Sequence, residues 1–276
     1  MSVKITTLIE NSPGEHKALV TEHGISFFIE KDGCHVLFDT GQSGTFIDNA
    51  KQLKVDLTAL DFVVISHGHY DHSGGIRSLT QLTTDFELVM GTGFFNEKYG
   101  YRNGSYEYLG NNFDELFLKD NRISYRFVDQ PLTELVPGLF VVTGFPRVHQ
   151  DEVVNPRFKI LQDGKFQSDP FDDEVLVAID TPEGLVVLLG CSHPGMKNML
   201  DAVTRLIQRP IYAILGGTHL VEASESSLDI SLDYLNDDNL KLIGVSHCTG
   251  QLAMDQLAAS NKHYYHNRTG SSLIVA

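Results

Sequence analysis

Short apolar runs, each closed by Gly, Asp or His, set the rhythm of this chain. They run from Val3 to Ile9, Ile25 to Glu30, His35 to Phe38, Phe62 to Ser66 and Glu87 to Met90. Later come Leu139 to Thr143, Val175 to Ile179, Leu185 to Leu189, Ile211 to Leu215, Leu242 to Val245 and Ser272 to Val275. Their wealth of β-branched residues predicts strands, and Lys31-Asp32-Gly33 between two of them predicts a hairpin. Helical spacing appears between others, over Gly44 to Leu53, Gly74 to Thr83, Met196 to Gln208, Leu228 to Asn239 and Gln251 to Ser260. Two strand-rich halves with helices outside predict an α/β fold built as a four-layer αββα sandwich.

The stretch from Phe94 to Pro137 departs from that rhythm. It is dense in Tyr, Asn, Gly, Asp and Glu with weak periodicity. We expect one domain over residues 1–276, with an insertion or lid at about 94–137. No repeat of solenoid period and no low-complexity tract is visible.

Composition narrows the partners. The 276 residues are 42% hydrophobic and carry 21 basic against 36 acidic side chains, a formal charge of -15. Nucleic-acid binding is disfavoured, because phosphate contacts need clustered Lys and Arg. A small phosphorylated substrate in a local cationic pocket is not excluded. Cys34, Cys191 and Cys248 are too few and too scattered for a disulfide framework, which points to a reducing compartment. No apolar stretch approaches the ~20 residues that span a bilayer. The expectation is a soluble cytoplasmic protein acting on a small molecule, with no membrane partner; a homodimer is allowed.

The densest chemistry lies where Phe62-Val63-Val64-Ile65-Ser66 runs into His67-Gly68-His69-Tyr70-Asp71-His72-Ser73-Gly74-Gly75. A strand end is a rigid platform, and three His plus one Asp there are hard to explain by packing. Imidazole nitrogen and carboxylate oxygen at this density suit Zn²⁺, with Fe and Mn as alternatives. Gly68 is expected to give the backbone freedom near an ion, and Gly74-Gly75 to let the next helix approach.

Three later apolar runs each deliver a His. They end in Gly190-Cys191-Ser192-His193, in Gly216-Gly217-Thr218-His219 and in Ser246-His247-Cys248-Thr249-Gly250. A lone His after a strand is more often structural, but three in register beside the first cluster are expected to converge on it. Asp39, closing His35 to Phe38, either fixes a ligand His or serves a turn before Gly41. Cys191 and Cys248 flank candidate ligands and are left unassigned. Arg147, ahead of Arg102, is the candidate for binding an anionic substrate group. His23, just before a strand, is read first as a turn residue and second as one that reaches the site; His149 is ambiguous between ligand and loop, and His16, His35, His263 and His266 are read as solvated.

The run His67 to His72 resembles the signature of the metallo-β-lactamase superfamily. More narrowly, Ser66 to Gly75, Thr143-Gly144 with Pro146-Arg147, Gly190 to Gly195, Gly216 to Leu220 and His247 to Gly250 resemble its dihydropterin synthase-like branch. The resemblance covers nearly the whole chain and implies two divalent metal ions, Zn first, with Mn, Fe or Mg as alternatives. It makes His67, His69 and His193 ligands of one ion, and Asp71, His72 and His247 ligands of the other. Asp71 and His219 become the candidate catalytic residues, with His219 either an extra ligand or a substrate contact. Which of His219 and His247 is the last ligand stays open. Two departures stand out: Thr143 to Arg147 lacks the His that hydrolases of the superfamily commonly carry there, and Cys191 stands near the place of the bridging Asp.

The resemblance implies a hydrolase using a metal-activated water on a small substrate. The alternatives are a transferase joining a dihydropterin diphosphate to an aminobenzene-ribofuranosyl phosphate, and a metal-dependent sensor or binding module.

Overall fold

The computed structural model describes residues 2–276. Alternation decides the layers. In β1 (Val3–Ile9), β2 (Ser26–Lys31) and β3 (Cys34–Phe38), the residues Ile5, Phe27, Ile29, Val36 and Phe38 face one core, while Leu8, Phe28 and Leu37 face another. Both faces of these strands are therefore apolar, as a sheet covered on both sides requires. Next come α1 (Thr45–Leu53), β4 (Phe62–Val64), the single turn α2 (Tyr70–Ser73), α3 (Ile76–Leu82) and β5 (Glu87–Gly91). They are followed by β6 (Glu97–Arg102), β7 (Ser105–Tyr108), α4 (Glu115–Asp120), β8 (Ser124–Val128), β9 (Leu132–Val136) and β10 (Leu139–Val142). The rest is β11 (Phe158–Gln162), β12 (Lys165–Ser168), β13 (Leu176–Thr181), β14 (Gly184–Leu189), α5 (Met196–Ile207), β15 (Ile211–Gly217), α6 (Glu225–Leu235), β16 (Leu242–Ser246), α7 (Gln251–Ser260) and β17 (Ser272–Val275).

One sheet has the order β17-β1-β2-β3-β4-β5-β8, and the other β16-β15-β14-β13-β10-β9. Between them lies a shared core that includes Phe27, Phe38, Val64, Val141, Val177, Val186, Leu188 and Leu215. Phe46 and Ala50 of α1 with Ile76 and Leu79 of α3 cover the outer face of the first sheet. Met199, Leu200 and Val203 of α5, Leu235 of α6 and Leu257 of α7 cover the second. This is the four-layer αββα sandwich, and each fully buried aliphatic or aromatic side chain in it is worth roughly 1.5–3 kcal/mol.

The stretch expected as one insertion is instead divided among three sheets. β8 is the edge of the first sheet and β9 the edge of the second. Only β6 and β7 stand apart, and they pair with β11 and β12 in a small third sheet of order β12-β11-β6-β7. Weak periodicity had a simple cause here: an edge strand buries little, so its sequence carries little alternation. The hairpin turns were nonetheless encoded, in Asn103-Gly104 and Asp163-Gly164, all four with positive φ.

The parallel pairs β3·β4, β14·β15 and β15·β16 put their carboxyl ends on one edge of the sandwich. Loops leaving those ends carry Asp39, His67, Cys191, His219 and His247. An open α/β sheet places its ligand site at such an edge. No helix among the described residues is long and apolar enough to cross a membrane.

Candidate metal centre

The strand-end residues meet in two adjoining groups. His67, His69 and His193 form the first, with candidate donor atoms all within 4.8 Å of one another. Asp71, His72, Cys191, Cys248 and His247 gather beside it, and the His67 and His72 rings lie 4.3 Å apart between centroids. Each side chain is aimed by its backbone: Asp39, Ser192, His219 and His247 all adopt left-handed φ of 53–64°. Such strain in non-Gly residues concentrates at functional sites. Gly68 has ordinary φ, so its role differs from the expected backbone freedom. A Cβ there would meet the Phe94 carbonyl oxygen at 2.3 Å. Gly75 does serve helix approach, since a Cβ would meet Phe46 at 2.6 Å.

Asp39 orders both groups, as the first of its two sequence readings expects, by holding the candidate ligand His72. Its Oδ2 accepts from His72 Nδ1 at 2.6 Å and from Ser66 Oγ at 2.8 Å, while Oδ1 accepts from the Ser66 amide at 2.7 Å. Ser66 Oγ, its proton given to Asp39, is left to accept from His67 Nδ1 at 2.9 Å. Both imidazoles therefore turn their Nε2 atoms away from Asp39 and into the site. His67 Nε2 lies 3.0 Å from His69 Nδ1, and His72 Nε2 lies 3.1 Å from Cys191 Sγ.

The remaining supports were not visible in the sequence. Asp173 accepts the Gly68 amide at 2.8 Å, and Glu174 accepts the amides of Ser192 at 2.5 Å and His193 at 2.9 Å. Lys98, from the third sheet, is buried between Asp169 and Asp173 at 2.8 and 2.9 Å. Phe171 stacks on His193 with ring centroids 3.8 Å apart. At the other end of the site, Glu10 accepts the His247 amide at 2.7 Å, and Asn11 Oδ1 lies 3.0 Å from His247 Nδ1. The one available signal was a polar pair, Glu10-Asn11, closing an apolar strand as Asp39 does.

Electrostatics separate the groups. Burial, then the charges of neighbouring imidazoles or Lys98, holds His67, His69 and His193 well below the usual histidine pKa. Burial opposes charge on His72 too, but Asp39 and Asp71 outweigh it and raise its pKa to about 9. Burial would raise Asp71, yet His72, His23 and His247 hold its carboxyl well below the usual range. Burial and then Cys248 push the Cys191 thiol well up.

The donor set fits divalent ions. Three neutral imidazoles face one point, and the buried Nε2 of His193 has no hydrogen-bond partner among the described residues. Nitrogen, sulfur and carboxylate donors suit Zn²⁺, and match poorly the all-oxygen shell that Mg²⁺ prefers.

Of the two open candidates, His247 joins the second group, with Nε2 3.4 Å from Asp71 Oδ2 and 3.5 Å from Cys191 Sγ. His219 belongs to neither group; its ring lies 4.4 Å from that of His193, on the wall of the cavity. His23 takes the second of its two readings and reaches the site, with Nε2 3.1 Å from Asp71 Oδ2. Arg147 does not reach it. Its guanidinium donates to the carbonyls of Pro170 at 2.6 Å and His193 at 3.4 Å and lines a different cavity behind Phe171. The Pro170 and His193 loops spend its donors, so it is a brace for the ligand loop where a substrate contact was expected. His149 pairs with Asp201 at 2.7 Å, outside the site. A cavity of about 810 Å³ opens over both groups, its far wall formed by Gly100, Arg102, Glu107 and Leu109 near the third sheet and by Arg157 and Phe158.

The chain is similar to several known proteins. A model of the metallo-beta-lactamase superfamily matches residues 22–152. The 7,8-dihydropterin-6-methyl-4-(beta-D-ribofuranosyl)-aminobenzene-5'-phosphate synthase of Methanocaldococcus jannaschii is 27% identical over 264 residues, covering 90% of this chain and 88% of that one. The crystal structure of Tm1679, a metal-dependent hydrolase of the beta-lactamase superfamily, aligns with a TM-score of 0.86 and 28% identity over 99% of both chains. YhfI of Bacillus subtilis, with a TM-score of 0.61 and 11% identity over the whole of both chains, shares the fold.

Proposed function

We propose that this chain, which is similar to the metallo-β-lactamase superfamily over residues 22–152, is a metal-dependent hydrolase of a small ester, lactone or phosphodiester. The observation that carries this reading is the pair of donor groups, ordered by one carboxylate, at the floor of one open cavity. His67, His69 and His193 would hold one divalent ion, and Asp71, His72 and His247 would hold a second, with Cys191 3.1 Å from His72 Nε2 as a further donor. When bound, such ions supply Lewis acidity and lower the pKa of water towards neutrality. Asp71 is ionised at neutral pH and accepts the hydrogen bond that orients the attacking water. His219, kept neutral because burial lowers its pKa, would contact the substrate and donate a hydrogen bond, without giving up its proton, to the leaving group. The far wall holds the remainder of the substrate.

Turnover of generic phosphodiester, lactone and thioester substrates, measured with and without chelator, tests the reading. Activity lost on chelation and in His69→Ala is expected; a metal-free preparation with full activity overturns it. The likeness to the archaeal synthase over 90% of the chain favours a second reading, transfer to an amine in place of water. Mass analysis of the products formed with and without an aromatic amine separates the two.

A further inference from the structure

On the cavity wall beside His219, a single carboxylate is ringed by four donors. Arg157 places Nε 2.8 Å and Nη2 2.7 Å from Glu222 Oε1, and Asn155 Nδ2 donates to Oε2 at 3.0 Å. Arg102 Nη2 waits 4.0 Å from the same Oε1, and His219 Nδ1 lies 3.8 Å from Oε2. The Arg157 guanidinium also lies 3.9 Å over the centre of the Phe158 ring, which fixes its plane. Arg102 is more than half exposed, and its guanidinium makes no hydrogen bond among the described residues.

Two guanidiniums thus share one negative charge, in a protein whose formal charge is -15. Arg157 spends both contacts on one oxygen, whereas a guanidinium fork is matched by two oxygens of a phosphate or carboxylate. A phosphate monoester, with three oxygens and nearly two charges, satisfies this ring better than Glu222 does. Glu222 ends a single 3-10 turn that starts from left-handed His219, and it also borders a second cavity of about 260 Å³. The side chain therefore has space to turn into when it is displaced.

We propose that Arg157 and Arg102 bind a phosphate monoester group of the substrate, remote from the bond that reacts, and that Glu222 occupies this subsite until that group arrives. The proposal rests on the reading of the 810 Å³ cavity as the substrate site. It makes the substrate a small molecule with a phosphate monoester at one end and the reacting bond at the other.

Calorimetric titration with inorganic phosphate at fixed ionic strength tests it. Glu222→Gln removes the competing charge and is expected to tighten phosphate binding roughly tenfold. Arg157→Gln is expected to weaken it about tenfold or more, a charge-assisted hydrogen bond being lost, and exposed Arg102→Ala about threefold. The same order is expected in a His69→Ala background, where the metal centre is broken, so the subsite and the hydrolase reading fail separately. Phosphate binding that vanishes with His69→Ala, or that Glu222→Gln leaves unchanged, overturns the proposal. Succinate binding as tightly as phosphate overturns the phosphate assignment. Should Arg157→Gln melt below the wild type, Glu222→Gln and Arg102→Ala still decide the matter.

Discussion

The two donor groups are neighbours in space, and the four candidate ligands of one short motif are split two and two between them, yet their surroundings are opposite. His67, His69 and His193 pack against Phe171, and the Phe158 ring lies 4.9 Å from that of His193. Asp173 and Glu174, beside them, accept backbone amides and make no hydrogen bond to the imidazoles. His72 and His247 sit instead among Asp39, Asp71, Glu10 and Asn11. The first group is a set of neutral donors at neutral pH. The second stores charge of both signs. Burial is common to both, so burial does not make the difference; the direction in which each nearby carboxylate is spent does.

Removing a ligand is the strongest way to break the comparison. His193→Ala deletes one of three imidazoles and the only one with an unpartnered buried nitrogen. Its loss in kcat/KM is expected to exceed the roughly 10–100-fold that outer partners command. Metal analysis after dialysis should show at least one ion fewer per chain. Unchanged metal content would deny the first group its role.

Asp39→Ala is expected to come next, because Asp39 serves both groups at once. It leaves His72 Nδ1 without its acceptor and Ser66 without the partner that orients it towards His67. A loss of about 10–100-fold in metal affinity is expected, at both places, by competition with a chromophoric chelator. A loss confined to one place would show that the relay through Ser66 carries nothing.

How much of this the sequence displayed follows from how each part is built. The gathering of His67, His69, Asp71 and His72 was legible because the candidate motif is contiguous and ends an apolar strand. His193 and His247 were legible as strand-end histidines, though the choice between His247 and His219 needed the turn that sends His219 to the cavity wall. Buried strands of the two large sheets announced themselves by apolar residues on both faces. The third sheet did not, since its β7 and β12 are exposed throughout. Lys98, Asp173 and Glu174 support the first group from segments remote in sequence, and acidic residues in a loop normally read as solvated. His23 looked like a turn residue because only the fold brings it to Asp71.

The groups should also separate by pH. A ligand must shed its proton before it binds a cation. His67, His69 and His193 are already unprotonated at pH 7, so uptake at the first place should vary little between pH 7 and 9. His72 has its pKa raised to about 9, so a proton competes at the second place throughout that window. Affinity there should rise with pH, by up to about tenfold per unit for one displaced proton, and level off above about 9. Stepwise metal titrations at several pH values would show it. Two places with the same pH slope would contradict the electrostatic contrast drawn above.

The smallest expected effect is the most selective. His23 is half exposed and offers Asp71 a single contact at 3.1 Å, with His247 and His72 remaining on the same carboxylate in its absence. A hydrogen bond of that kind contributes about 0.5–1.5 kcal/mol net. His23→Ala should therefore weaken the second place by about two- to tenfold, since 1.4 kcal/mol corresponds to a factor of ten. It should leave the first place unchanged, because no atom of His67, His69 or His193 depends on His23. Calorimetry that resolves the two uptake steps distinguishes the cases. Equal weakening of both would mean that Asp71 couples the groups as one electrostatic unit, and that the boundary between them belongs elsewhere.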